Sequence, residues 1–134
     1  MIVLAEKKDL APIVQYQETD SFACRILCIA NMYGNYPFAD FWIQKQEEIG
    51  YPTAYLSKMD GVITLFAHEN ADFGELYMFI KMIGASCMIC HASCAEQLHI
   101  TPARTGIIMK WNARLVEHTN RTISPNLHQI YSIL

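Results

Sequence analysis

Ala54-Tyr55-Leu56-Ser57-Lys58-Met59-Asp60-Gly61-Val62-Ile63-Thr64-Leu65-Phe66-Ala67 is the stretch that decides the fold class of this chain. Residues 54–58 and 62–67 are rich in β-branched, aromatic and aliphatic side chains, and Met59-Asp60-Gly61 joins them. Asp-Gly between two such runs is among the strongest local signals for a hairpin, because a tight two-residue turn requires positive φ and these residue types tolerate it. An antiparallel pair is therefore expected here, and the segments on either side decide what covers it.

Upstream, residues 41–44 read as a further strand, entered through an aromatic connection broken by Pro37. Before it, residues 22–33 form a helix capped by Asp20 or Ser21, with Gly34 expected as a left-handed stop. Residues 8–14 begin an earlier helix, with Asp9 as its expected cap and Leu10, Ile13, Val14 and Gln17 on one stripe. Pro12 sits later in that helix than the preferred first position, and a kink near 18–20 separates the two helices. Ile2-Val3-Leu4-Ala5 opens the chain as a short strand.

Downstream, residues 68–72 turn into a helix over 73–83, with Phe73, Leu76, Tyr77, Ile80 and Ile83 as its core face and Gly84 at its end. Residues 86–90 are expected as a short buried strand, 93–98 as one or two helical turns and 105–111 as another strand. Asn, Thr, Arg, Glu and His then dominate up to residue 123. The expected organisation is one domain over 1–112, a linker over 113–123, and a helix starting at Ser124-Pro125 and running over 124–134 without a C-cap. That helix either docks on the domain or opens a following one.

Composition narrows the function classes. Of 134 residues 52% are hydrophobic and only 17% charged, against roughly 25% charged in an average soluble protein, so a polarity-driven disordered chain is excluded. Lys and Arg number 10 against 13 Asp and Glu, a net charge of −3; no basic field exists to hold a phosphate backbone, and no nucleic-acid partner is expected. The apolar helical stretches 22–32 and 76–83 are broken by Arg25, Asn31 and Lys81 and fall short of the about 20 residues that span a bilayer, so no membrane partner is expected. Residues 1–8 place the apolar run ahead of the lysines, the reverse of a signal peptide, and the expected location is cytoplasmic. Five cysteines, an odd number, fit reduced thiols and no disulfide.

Cys87-x-x-Cys90-x-x-x-Cys94 with His91 raises the question of a metal, because zinc wants four converging N or S ligands. On a strand, however, side chains three apart point to opposite faces, and only Cys24 and Cys28 could supply a second pair. No metal site is expected. A redox reading of Cys87 and Cys90 would need a helix N-terminus to lower a thiol pKa, and the pair lies in an apolar strand instead. Five Cys and five His offer no local signature for a Cys–His nucleophile. G-x-S-x-G, H-E-x-x-H, Walker and G-x-G-x-x-G motifs are missing, and the carboxylates scatter over cap, turn and solvent-facing positions. No catalytic residue is assigned. Tyr33, Tyr36, Phe38, Phe41, Trp42, Tyr51 and Tyr55 form an aromatic-rich middle that packs in the core or, less economically, lines a small-molecule pocket or an interdomain contact.

The order strand, two helices, strand, hairpin, helix, strand, short helix, strand resembles the GNAT N-acetyltransferase superfamily. The specific echoes are Lys8-Asp9-Leu10-x-x-Ile13 after the first strand, the hairpin Ala54 to Ile63 and the helix ending Met82-Ile83-Gly84-Ala85. The resemblance implies an α/β (α+β) fold with a mixed, mostly antiparallel central sheet flanked by helices. It also implies a place for acetyl-CoA, whose pyrophosphate is held in that family by Arg or Gln followed by x-x-Gly-x-Gly or x-x-Gly-x-Ala where the central strand enters a helix. The equivalent junction here is His68-Glu69-Asn70-Ala71-Asp72-Phe73-Gly74-Glu75, with one glycine and three carboxylates. No cofactor-binding residue is carried over, and no cofactor is expected for this chain.

The chain is also similar to the N-terminal half of bacterial proteins that join two such domains, the second carrying the working acetyltransferase site. A partner or substrate-shaping domain is the expectation, paired with a second GNAT-like domain. Two alternatives stand beside it: a small homodimeric interaction domain with an aromatic pocket, and an active acetyltransferase with an atypical phosphate loop. The last would use acetyl-CoA and a tyrosine such as Tyr131 or Tyr77 as general acid.

Overall fold

Asp60 and Gly61 hold φ angles of 52° and 75°, so the Asp-Gly turn is of type I′, whose twist matches the strands it joins. A Cβ on Gly61 would lie 2.8 Å from Ser86 Oγ; the position needs glycine for space as well as for φ. The turn connects β3 (Ala54–Met59) to β4 (Val62–Ala67), in register from Met59↔Val62 to Ala54↔Ala67. This computed structural model describes residues 1–102, Arg104 and Gly106.

β2 (Ala39–Gln44) pairs with β3, and β1 (Ile2–Leu4) with β2, all antiparallel. β5 (Cys87–Ile89) lies parallel to β4, completing a sheet of order β1-β2-β3-β4-β5. Parallel neighbours need a crossover, and α2 (Phe73–Ile83) supplies it. The fold is α+β: a five-stranded, mostly antiparallel sheet flanked by helices.

Successive strand residues face opposite sides, which divides the core in two. Val3, Ile43, Tyr55 and Phe66 form one cross-strand row. They pack with Leu10 and Ile13 of a 3₁₀ helix (Lys7–Tyr16) and with Ile26 of α1 (Ser21–Tyr33). The next row, Trp42, Leu56 and Leu65, faces the other way, against Leu76 of α2 and against Cys94 and Leu98 at α3 (Ala92–Gln97). Because both faces are covered, β3 and β4 are near-continuous apolar runs rather than strict alternations. Each large side chain so buried contributes roughly 1.5–3 kcal/mol.

Several sequence expectations are corrected in detail. Residues 8–14 belong to a 3₁₀ helix, not an α-helix, and Glu6 rather than Asp9 is the N-cap; the Asp9 carboxylate reaches back to accept from the Glu6 amide at 2.8 Å. With three residues per turn, Leu10, Ile13 and Tyr16 share a side, which leaves Val14 52% exposed and Gln17 on the surface. Gly34 is right-handed, with φ −61°. Its need is steric, because a Cβ there would run into the Ala30 carbonyl oxygen that accepts from the Gly34 amide.

On α2 the core face is Phe73, Leu76, Phe79, Ile80 and Ile83, while Tyr77 is exposed with the Lys81 ammonium 5.1 Å above its ring. β5 is a sheet-edge strand with Cys87 exposed and only Ile89 buried, not a buried strand throughout. Residues Met1–Thr101 form one compact unit. The expected linker at 113–123, the helix at 124–134, Tyr131 and nearly all of the strand at 105–111 lie outside the described residues. No helix among the described residues is long and apolar enough to cross a membrane.

Candidate functional site

The parallel pair β4–β5 is short. It runs from Val62↔Cys87 to Thr64↔Ile89 and then opens, β4 continuing through residues 65–67 while the chain beyond Ile89 turns into α3. Between the two arms lies a cleft of about 170 Å³, bounded on one side by Asp20 and Phe22 and on the other by His91, Ser93 and Cys94. Asp20 is the N-cap of α1, and its Oδ1 accepts from the Phe22 and Ala23 amides at 2.9 and 3.0 Å. This satisfies two of the helix's orphan donors and fixes the carboxylate at the cleft mouth.

His91 caps α3 in the same way. Its Nδ1 accepts from the Ser93 amide at 3.3 Å and lies 2.9 Å from Ser93 Oγ, while its ring meets Phe22 edge-on with centroids 6.1 Å apart. Burial pushes the Cys94 thiol up, and pushes Cys90 to about 11, with Cys94 nearby adding to the effect. Both are protonated at neutral pH, so neither is a ready nucleophile. The cleft brings a carboxylate, an imidazole and a protonated thiol to one space of about 170 Å³, and no covalent chemistry is set up in it.

The second candidate is the junction 68–75, where β4 leads into α2. Asp72 is the N-cap, and its Oδ1 accepts from the Glu75 amide at 3.0 Å. Behind it stands Gln44, fully buried at the end of β2. Gln44 Nε2 donates to the Asp72 carbonyl at 2.9 Å and to Glu75 Oε1 at 3.0 Å, and Gln44 Oε1 accepts from the Asp72 amide at 3.0 Å and from Thr53 Oγ1 at 2.7 Å. The Met1 ammonium lies 3.1 Å from Glu75 Oε2. The positive end of α2 is thus served by the chain's own carboxylates, Asp72 and Glu75, the position at which an anionic ligand would otherwise be favoured.

Of the remaining sequence candidates, Cys24 and Cys28 are brought together, their sulfurs 4.0 Å apart, and Cys94 lies near Cys90. Cys87 is exposed, Cys90 half-buried and Cys94 buried. Among the described residues no group of three or more His, Cys, Asp or Glu side chains is placed to hold a metal ion. The aromatic middle splits four ways. Tyr33, Tyr36 and Phe38 cluster at the α1–β2 connection, with Tyr36 and Phe38 stacked at 5.2 Å. Phe41 and Tyr55 enter the core on the α1 side, whereas Trp42 packs edge-on against Phe79 of α2 at 5.4 Å. Tyr51 meets His68, which also touches Tyr16 and Phe66.

Two features were not found by sequence reasoning. The Gln44–Thr53–Asp72 network links residues 28 apart in the chain, and a strand-end glutamine carries no local mark of such a role. The cleft could have been anticipated only from Asp20 and His91 both being helix caps, since caps sit where helix ends meet the sheet rim. Compared with family models, with curated proteins and with solved structures, the chain matches none.

Proposed function

We propose that this chain is a GNAT-like domain that does not bind acetyl-CoA through a pyrophosphate cradle of its own, and that it serves as the partner or substrate-shaping domain of an acetyltransferase. The architecture is compatible with it: two helices between β1 and β2, an antiparallel meander, then a parallel strand reached through α2. One observation carries the reading. The strand-to-helix junction, where the resemblance places the diphosphate, is capped from within by Asp72, with Glu75 beside it and Glu69 exposed in the same segment. At contact distance, repulsion between like charges amounts to kcal/mol even when water screens part of it.

The test is a calorimetric titration with acetyl-CoA, with desulfo-CoA as control because the five thiols could react with the thioester. The expected result is no saturable heat up to millimolar concentrations of either compound. Saturable micromolar binding of both would overturn the proposal and restore the reading of an active enzyme with an atypical phosphate loop. The homodimeric reading keeps one supporting observation, the half-exposed ring stack of Tyr36 and Phe38. Sedimentation equilibrium decides it: a concentration-dependent dimer that Tyr36→Ser abolishes would favour it.

A further inference from the structure

We infer that the outer stripe of α1 is a binding site for a soft monovalent d10 metal ion, Cu(I), held by the thiolates of Cys24 and Cys28 with the thioether of Met32 as a third donor. The two cysteines stand one helical turn apart, and their sulfurs are 4.0 Å from each other. Two sulfurs bound to one ion at about 2.3 Å in a trigonal arrangement are about 4.0 Å apart; the pair is thus already spaced for a shared ion. Met32 lies one turn beyond Cys28, and the i, i+4, i+8 spacing places it on the same stripe.

The buried residues of α1 are Ala23, Ile26, Leu27, Ile29 and Ala30, and none of them belongs to the 24, 28, 32 stripe. Cys28 is exposed and Cys24 half-buried, while Met32 is 64% exposed. An ion can therefore reach the Cys28 sulfur without opening the core.

The donor set selects the ion. Thiolate and thioether sulfur suit Cu(I), whereas Mg(II), Ca(II) and Mn(II) prefer oxygen. Zinc wants four N, O or S ligands in a closed tetrahedron, and the described residues contain no group of even three His, Cys, Asp or Glu side chains so placed. Low-coordinate Cu(I) is satisfied by what the stripe offers. On binding, each thiol loses its proton to solvent as its S–Cu bond forms. Two protons leave per ion, and no electron is transferred.

The experiment uses the full chain, reduced and kept anaerobic, titrated with Cu(I) supplied as its acetonitrile complex against a colorimetric Cu(I) chelator. The expected result is one tightly held equivalent, appearance of sulfur-to-copper charge-transfer absorption in the ultraviolet, and loss of two titratable thiols. Cys28→Ser, at an exposed position that leaves the fold intact by circular dichroism, removes that equivalent, and Met32→Leu weakens it. Cys87→Ser, the other exposed cysteine, leaves it unchanged. Uptake that survives Cys28→Ser, or that disappears only in Cys90→Ser or Cys94→Ser, would overturn the assignment, as would a chain that takes no copper from the chelator.

Discussion

Gln44 and Asp72 hold each other by a reciprocal pair of hydrogen bonds, the Gln44 amide donating to the Asp72 carbonyl at 2.9 Å and accepting from the Asp72 amide at 3.0 Å. The side chain of one residue thereby pairs with the backbone of another as a neighbouring strand would. It joins the end of β2 to the start of α2, and Thr53 completes the set with a 2.7 Å bond to the same oxygen.

Replacing Gln44 by Leu keeps the volume roughly constant and removes all of these bonds. Thr53 Oγ1 loses its acceptor while still accepting from Gln46 Nε2 at 3.1 Å, and the half-buried Asp72 amide loses its partner; a buried unsatisfied group costs about 1–3 kcal/mol. The expected outcome is a drop in stability of about 2–4 kcal/mol with an unchanged m-value in urea. A change within about 0.5 kcal/mol would mean that water takes over the role and that the network is not structural.

The turn makes a contrast that separates φ from space. Gly61→Ala adds a Cβ at φ 75° and pushes it towards Ser86 Oγ, with an expected loss of about 1–2 kcal/mol for the left-handed conformation. Gly61→Ala combined with Ser86→Ala should recover only the steric part. Asp60→Asn, at φ 52°, should be close to neutral because Asn tolerates the left-handed region at least as well. Equal losses at both positions, measured by thermal unfolding, would contradict the I′ geometry as the cause.

The same distinction explains what could and could not be read from the chain. The hairpin was legible because its signal is local and its turn chemistry admits few alternatives. The order of elements through α3 followed from it. The first helix was misjudged because Leu10, Ile13 and Tyr16 are spaced by three, a period that an α-helical stripe approximates, and Val14 was drawn into the face by that approximation. The aromatic middle could have been divided in advance, since Phe41 and Trp42 are neighbours on one strand and must face opposite sides. The Gln44 network depends on which distant segments the sheet brings together, and no local pattern encodes that.

Thiol reactivity should sort by burial. Cys28 and Cys87 are exposed, while the Cys90 thiol is pushed up to about 11 and that of Cys94 is also raised, both chiefly by burial. In the metal-free native protein Cys28 and Cys87 are expected to react quickly with Ellman's reagent at neutral pH. Cys90 and Cys94 should react only at the rate of opening or after unfolding, because the thiolate is the attacking species. Mass mapping of partially labelled protein checks this directly, and early label on Cys90 would show that the packing of the β5–α3 connection against the α2-side core opens in solution.

His68 should make stability depend on pH in a defined direction. Its ring lies among Tyr16, Tyr51 and Phe66, at centroid distances of 5.7, 5.7 and 5.3 Å, and burial lowers its pKa from 6.5. In the window just below 6.5 the unfolded chain therefore binds more protons than the folded one, and stability rises with pH there. The contribution is fully present above the unfolded value and is lost as pH falls through it towards the lower folded value. His68→Phe preserves the ring packing and removes the titration, so the difference in unfolding free energy between about pH 8 and about pH 5 should be smaller in the variant than in the parent. Equal pH dependence in the two proteins would assign the acid sensitivity to other groups and would mean that the folded state accommodates a charged His68 as readily as water does.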